Sequence, residues 1–129
     1  MDLLTSTRNG LFAWADRVLE QGVPHGTVGF HFNLYEGIDS VHVQLTGTDS
    51  FVTEPEYWPG DETFTTGEDI FEVPFAVAGD TWQDWLMSLK ALVSSYITDG
   101  DKSAVLTKSH GVGIGFVDGD MYVLWQPSA

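Results

Sequence analysis

The sequence predicts an α+β fold in which an antiparallel sheet of about five to six strands has two helices packed on one face. Two stretches carry apolar residues at helical spacing, and several others carry the alternation of half-buried strands. The order helix, two strands, long loop, strand, helix and three strands suits a layer of helices against an antiparallel sheet. A chain of 129 residues with 43% hydrophobic content is expected to form a single domain, residues 1–129, with its own core.

The first helix is predicted from apolar residues that recur every three or four positions, with one polar interruption at Arg8. A hydroxyl side chain within residues 5–7 is expected to cap its start, and Gly22 is expected to end it. The predicted apolar face consists of Leu4, Leu11, Phe12, Ala15, Val18 and Leu19.

Two alternating runs after the turn at residues 23–26 predict a β-hairpin. Pairing Tyr35 with Ser40 puts Phe32 opposite Val43 and leaves residues 36–39 as the loop. All the apolar side chains then share one face, because a slip of one residue would turn polar side chains into the core.

The middle of the chain is predicted to be a long surface loop, since residues 47–69 have no sustained period. Residues 70–78 predict an edge strand, because Pro74 cannot donate to a neighbouring strand. Residues 81–97 predict the clearest helix, with Asp80 or Thr81 as its cap. Its apolar stripe consists of Trp82, Trp85, Leu86, Leu89, Leu92, Val93, Tyr96 and Ile97.

The C-terminal part is predicted to be β-structure. Residues 104–107 suggest a short strand, and a hairpin is expected around Asp118 and Gly119, a favoured two-residue turn. On one face of this hairpin the glycines at 111, 113 and 115 would lie beneath Tyr122 and Leu124. On the other face the predicted pairs are Val112 with Trp125, Ile114 with Val123 and Phe116 with Met121.

Charge is distributed very unevenly along the chain. The net charge is −14, with five Lys and Arg residues against 19 Asp and Glu. Between Arg17 and Lys90 there is no Lys or Arg, yet 13 of the acidic residues lie there. So few cations disfavour binding to nucleic acid or to an anionic membrane surface. A basic protein surface is the expected partner, because a surface of one sign steers oppositely charged molecules towards it.

The predicted partner-binding residues lie in the acidic loop, where aromatic side chains are interleaved with carboxylates. The carboxylates would steer a basic partner and the aromatic rings would anchor it. The alternative is that the acidity only keeps the protein in solution, and that Trp58 and Phe64 are core residues that hold a solvated loop in place. The predicted set is Glu54, Glu56, Tyr57, Trp58, Asp61, Glu62, Glu68 and Asp69.

A second candidate surface is the polar face of the first hairpin. Its histidines lie on adjacent strands, and two imidazoles can contribute to a zinc or copper site. Such sites normally take three or four protein ligands, and the spacing supplies no third, so neither a metal nor another cofactor is predicted. A small-ligand or metal-binding domain using this face remains the alternative function. The face consists of His31, Asn33, Tyr35, His42 and Gln44.

No catalytic motif is evident, and the protein is predicted not to be an enzyme. Ser109 and His110 are neighbours in sequence, which does not supply the geometry of a nucleophile and its base in an extended chain. No G-x-S-x-G elbow is present. The chain has no cysteine, no signal peptide pattern and no run of 18 apolar residues, so a cytoplasmic protein without a membrane span is expected.

Residues 32–37 (FNLYEG) and 44–51 (QLTGTDSF), followed by Trp58 after an acidic run, resemble small bacterial immunity proteins of polymorphic-toxin and contact-dependent inhibition systems. The resemblance covers about a quarter of the chain. It implies a cytoplasmic protein that binds a cognate toxin C-terminal domain and blocks it by occlusion, with no catalytic residues or cofactor. Many toxins that attack nucleic acid are basic, which agrees with the charge of this chain.

Overall fold

The computed structural model of the protein describes residues 2–51, 62–117 and 119–127. Within these ranges the chain forms four helices and six strands. In chain order the elements are α1 (Leu3–Glu20), β1 (Gly29–Glu36), β2 (Ser40–Thr48), β3 (Glu62–Thr65), β4 (Phe71–Pro74), α2 (Phe75–Ala78), α3 (Trp82–Asp99), α4 (Ser103–Thr107), β5 (Gly111–Phe116) and β6 (Tyr122–Trp125).

The strands form one mixed sheet in the order β3-β2-β1-β5-β6, with β4 also paired to β2. The predicted α+β class and number of strands are confirmed. The prediction of a purely antiparallel sheet is wrong at its centre, where β1 and β5 run parallel with Phe32 opposite Ile114. The chain reaches β5 through the helical connection of α3 and α4, and a crossover of this kind returns a strand in the same direction.

One face of the sheet and the two long helices enclose the core. The helices α1 and α3 each contribute an apolar stripe, and the sheet contributes alternate residues of β1, β2 and β5. Each such side chain, fully buried, contributes about 1.5–3 kcal/mol. The buried strand residues are Phe30, Phe32, Leu34, Val41, Val43, Leu45, Val112 and Ile114, and the buried helix residues include Leu11, Trp14, Val18, Leu89, Val93 and Tyr96.

A partly buried polar contact joins the two long helices. The Tyr96 hydroxyl donates to Asp16 Oδ1 at 2.6 Å, and the backbone N–H of Lys102 donates to the same oxygen at 3.2 Å. The Tyr96 ring also meets Phe12 edge to face at 5.1 Å. Burial, followed by the carboxylate of Asp16, raises the pKa of Tyr96. The hydroxyl therefore stays protonated and serves as a permanent donor across the helix interface.

Both long helices begin at side-chain caps. Thr81 caps α3 by accepting from the Asp84 N–H at 3.2 Å, as predicted. The cap of α1 is Asp2, which accepts from the Thr5 N–H at 2.8 Å, and so lies earlier than predicted. The helix therefore includes Leu4, whose predicted core position is wrong because this first turn extends beyond the core and leaves it 57% exposed.

The first hairpin has the predicted faces but a register that differs by two residues. Phe32 lies opposite Leu45, and Tyr35 lies opposite His42. The Gly37 N–H donates to the Ser40 carbonyl at 2.8 Å, which closes a tighter loop than predicted. A shift of two residues keeps every side chain on its face, so the alternation of apolar residues does not distinguish the two registers.

Four other segments differ from the sequence prediction. The predicted edge strand over residues 70–78 is a strand only at β4, and its second half forms the helix α2. Residues 104–107 form part of α4 and not a strand, and β3 lies within the predicted long loop. A bulge between Val112 and Gly113 shifts the last hairpin, so that Ile114 lies opposite Tyr122. An extra residue reverses the face of those beyond it, and Tyr122 therefore lies on the helix side of the sheet.

The glycines of β5 lie beneath side chains on the face of the sheet away from the helices. A Cβ atom on Gly111 would overlap the ring of Phe51, and one on Gly113 would lie 3.0 Å from Met121 Sδ. The prediction that Tyr122 and Leu124 cover these glycines is wrong: the bulge moves Tyr122 to the opposite face, and the side chains nearest Gly111 and Gly113 belong to Phe51, Met121 and His31. Glycine here allows a ring and a thioether to lie directly on the strand.

Candidate functional site

The described part of the predicted acidic loop is divided between exposed and paired carboxylates. Glu54, Glu56, Tyr57, Trp58 and Asp61 lie outside the described residues. Glu62 is exposed at the start of the edge strand β3, and Glu68 is exposed in the turn before β4. These two carboxylates are accessible to a partner.

Asp69 is already engaged within the chain. Its carboxylate accepts two hydrogen bonds from Arg17, at 2.6 and 2.8 Å, and its backbone oxygen accepts from Trp14 Nε1 at 3.3 Å. The bidentate contact with the guanidinium lowers the pKa of Asp69 and raises that of Arg17. Asp69 therefore joins α1 to the segment before β4, and its charge is neutralised locally.

The polar face of the first hairpin contains a continuous hydrogen-bonded chain. Asn33 Nδ2 donates to Gln44 Oε1 at 3.0 Å, and Gln44 Nε2 donates to the Gly67 carbonyl at 3.1 Å. Asn33 Oδ1 lies 2.5 Å from His31 Nδ1, so this nitrogen carries the proton and donates. Burial lowers the pKa of His31 to about 4, with the contact to Asn33 acting in the opposite sense. The imidazole is therefore neutral at pH 7.

The two histidines of this face lie apart. His42 Nε2 is 3.1 Å from Glu72 Oε1, which also accepts from Ser40 Oγ at 3.0 Å, and the His42 ring meets Tyr35 edge to face at 5.0 Å. Because Tyr35 lies opposite His42, His31 is four residues away along the strand. At the rise of a strand this is roughly 13 Å, too far for both imidazoles to bind one ion.

The described residues contain no group of three or more His, Asp or Glu side chains suited to holding a metal ion. None of the helices in this part of the chain is long and apolar enough to cross a membrane.

A groove of about 490 Å³ lies at the end of the sheet where the parallel strands β1 and β5 finish. The first turn of α3 forms one wall and the β5–β6 loop forms another. Its volume falls in the range of roughly 300–1,000 Å³ that is usual for ligand pockets. We call this feature the aromatic groove, and its apolar lining includes Leu34, Tyr35, Trp82, Trp85, Phe116 and Tyr122.

The aromatic groove has one fixed wall and one wall that faces solvent. Trp85 stacks on Phe75 with 4.9 Å between ring centroids, and its Nε1 donates to the Gly79 carbonyl at 2.8 Å. Trp82 is 54% exposed and meets Phe116 edge to face at 6.4 Å. An exposed indole beside a fixed aromatic floor is the type of anchor that dominates many protein interfaces.

The aromatic groove also has a negative rim. Glu36 and Asp120 line it, and the described residues of its lining include no Lys or Arg. Neither carboxylate has a side-chain hydrogen bond or ion pair to another described residue. Lys90 lies beside this lining: its Nζ is 3.9 Å from the centroid of the Tyr122 ring, but Lys90 does not line the groove.

Sequence reasoning missed this groove because two of its walls were placed elsewhere. Trp82 belongs to the apolar stripe of α3 by spacing, and we predicted it with the core, which is wrong. It is the first residue of the helix and extends past the buried residues of the stripe. Regular alternation predicts Tyr122 on the opposite face of the sheet, and the bulge between β5 and β6 reverses it. The proximity of Glu36 to Asp120 depends on the parallel pairing of β1 with β5, which no local pattern indicates.

Comparison with known proteins identified no matching family model, curated protein or solved structure for this chain.

Proposed function

We propose that this protein is an immunity protein, which binds a cognate toxin domain with a basic surface and neutralises it by occlusion. The observation that carries the proposal is the combination of a large excess of carboxylates with an open aromatic groove whose rim is also acidic. Such a protein would act in the cytoplasm, where the toxin domain arrives. The partial sequence resemblance to immunity proteins points in the same direction.

The charge available to a partner supports this proposal. Two of the five Lys and Arg residues are already paired within the chain: Arg8 with Asp99 at 3.5 Å and Arg17 with Asp69 at 2.6 Å. Exposed carboxylates such as Glu62 therefore face solvent with few cations to offset them. The negative electrostatic potential of such a surface accelerates the association with a basic protein. Fast association suits an inhibitor that must act before its target does damage.

The polar face of the first hairpin supports the metal-binding alternative less well. His31 and His42 are too far apart to share an ion, and both side chains have partners within the fold. Hydrogen bonding of this kind stabilises the sheet and needs no ligand to explain it.

Co-expression tests the proposal directly. The C-terminal domain of the protein encoded immediately upstream would be expressed in bacteria with and without this chain, and growth would be scored. We expect toxicity that this chain relieves and an isolable complex of the two proteins. A toxic domain that is not rescued, or a harmless one, would contradict the proposal.

Paired charge variants then test how the complex forms. Glu62→Gln with Glu68→Gln removes two exposed carboxylates from the acidic stretch, whereas Glu20→Gln with Asp101→Asn removes two elsewhere. If the acidic stretch faces the toxin, the first pair should slow association several-fold at low salt and flatten its salt dependence more than the second. Equal effects would indicate that only net charge matters and would remove this stretch from the interface.

A further inference from the structure

We propose that the aromatic groove receives a lysine or arginine side chain presented by the partner protein. This inference rests on the proposed function for the identity of the partner, although the chemistry of the groove is independent of it. The groove, not the acidic loop, would then supply the central anchor of the complex, with Trp82 as its exposed wall.

The first argument is the chemical character of the lining. Four of its rings belong to Tyr35, Trp82, Phe116 and Tyr122. The faces of such rings attract cations, and Trp attracts them most strongly. An aliphatic ligand would be satisfied by Leu or Ile side chains, whereas a lining composed largely of aromatic rings also favours a cationic one.

The second argument is charge complementarity. Glu36 and Asp120 stand on the rim, and neither is paired with another described residue. A guanidinium or ammonium group entering the groove would lie among rings and reach a carboxylate at the rim, while its aliphatic stem covers apolar surface. Among the lining residues that the structure describes, an anionic ligand would meet two carboxylates and no Lys or Arg.

The third argument is a contact within the protein itself. The Lys90 ammonium lies 3.9 Å from the centroid of the Tyr122 ring, so one ring of the groove already interacts with a cation. Lys90 projects from α3 and is outside the lining. Its positive charge would oppose the entry of a second cation. Removing the charge of Lys90 therefore tests whether the ligand is positively charged.

The source of the cation follows from the position of the groove. It opens at the end of the sheet, where Val117 is 62% exposed and Ile38 in the β1–β2 loop is fully exposed. An apolar surround of this kind suits contact with a protein that excludes water around the inserted side chain. We therefore assign the groove to a side chain of a protein and not to a free small cation.

The experiment uses N-acetyl-arginine amide as the probe and N-acetyl-citrulline amide, its uncharged analogue, as the control. Each is titrated into the isotopically labelled protein, and the shifts of backbone and indole signals are followed by NMR. We expect the arginine compound to shift the Trp82 indole and signals of the β5–β6 loop, with the citrulline compound at least threefold weaker. Equal binding of the two compounds, or shifts confined to other surfaces, would overturn the proposal.

Three variants sharpen the result. Trp82→Ala should weaken binding about two- to fivefold, and Glu36→Gln with Asp120→Asn should weaken it comparably. Lys90→Met should strengthen it about twofold, because it removes a like charge. Asp101→Asn, beyond the C-terminal end of α3, is the charge control and should change nothing. A Lys90→Met variant that binds the arginine compound more weakly would contradict the prediction that the Lys90 charge repels the ligand.

The same variants separate this inference from the proposed function. If co-expression rescues growth and Trp82→Ala protects as well as the parent with unchanged affinity for the toxin, the groove inference falls and the immunity proposal stands. If no rescue occurs but the arginine compound binds as described, the immunity proposal falls and the cation site stands. Tetramethylammonium binding much more tightly than the arginine compound would overturn the assignment to a protein side chain.

Discussion

His31 should make the stability of this protein depend on pH well above the range in which carboxylates titrate. Burial lowers its pKa to about 4, from about 6.5 in an unfolded chain. Below pH 6.5 the unfolded chain therefore binds a proton that the folded protein does not. Stability attributable to this residue is fully present above about pH 6.5 and is lost progressively as the pH falls towards 4.

The size of the effect follows from the two pKa values. A difference of about 2.5 units corresponds to about 3 kcal/mol once the pH is below both. Between pH 7.5 and pH 5 the same relation gives a loss of about 2 kcal/mol. For a domain of this size that is a fall in Tm of roughly 6–10 °C.

The assay compares urea unfolding of the parent protein and His31→Asn from pH 7.5 to pH 5. The asparagine retains a donor for Asn33 but cannot titrate, so the variant should be less stable at pH 7.5 and should lose about 2 kcal/mol less on acidification. His110→Asn, which removes an exposed histidine, controls for the loss of an imidazole and should follow the parent. The reasoning would be refuted if the free energy of unfolding fell by the same amount from pH 7.5 to pH 5 in the parent and in His31→Asn.

Three further predictions concern stability, each measured by urea unfolding at pH 7.5 unless stated. Tyr96→Phe removes the donor to a carboxylate of α1 and should cost about 1.5–3 kcal/mol, and the difference should shrink above about pH 10, where only the unfolded tyrosine ionises. Gly115→Ala would place a Cβ against a backbone oxygen of the β5–β6 loop and should cost about 1–3 kcal/mol, whereas Gly119→Ala, in ordinary contact, should cost less. Leu89→Ala should cost about 2–5 kcal/mol against at most about 0.5 for the exposed Met87→Ala. Equal costs within either matched pair, or a pH-independent cost for Tyr96→Phe, would contradict these assignments.

The parts of the fold that were predicted correctly depend on contacts between residues close in sequence. The helix α3 follows from its apolar period and from Thr81, whose capping bond spans three residues. The faces of β1 and β2 follow from alternation, which is a property of each strand alone. Their register depends on the loop, and both registers bury the same side chains.

The parts that were missed depend on distant partners. The parallel pairing of β1 with β5 and the β5–β6 bulge leave no trace in the local pattern. Residues 104–107 alternate weakly enough for either a strand or a helix, and in the structure they belong to α4, which lies between α3 and β5. The aromatic groove combines all of these features, so its residues were recognisable one by one but not as a site.

The parallel pairing of β1 with β5 also sets the order in which this protein can fold. Gly29 lies beside Gly111, so the centre of the sheet joins segments separated by most of the chain. Contacts this distant in sequence close slowly, because the intervening chain must first be ordered. During synthesis β1 and β2 emerge long before β5, and one edge of β1 stays unpaired until β5 arrives. That edge presents free backbone donors and acceptors to any other strand, so the nascent chain passes through a period in which it is vulnerable to aggregation.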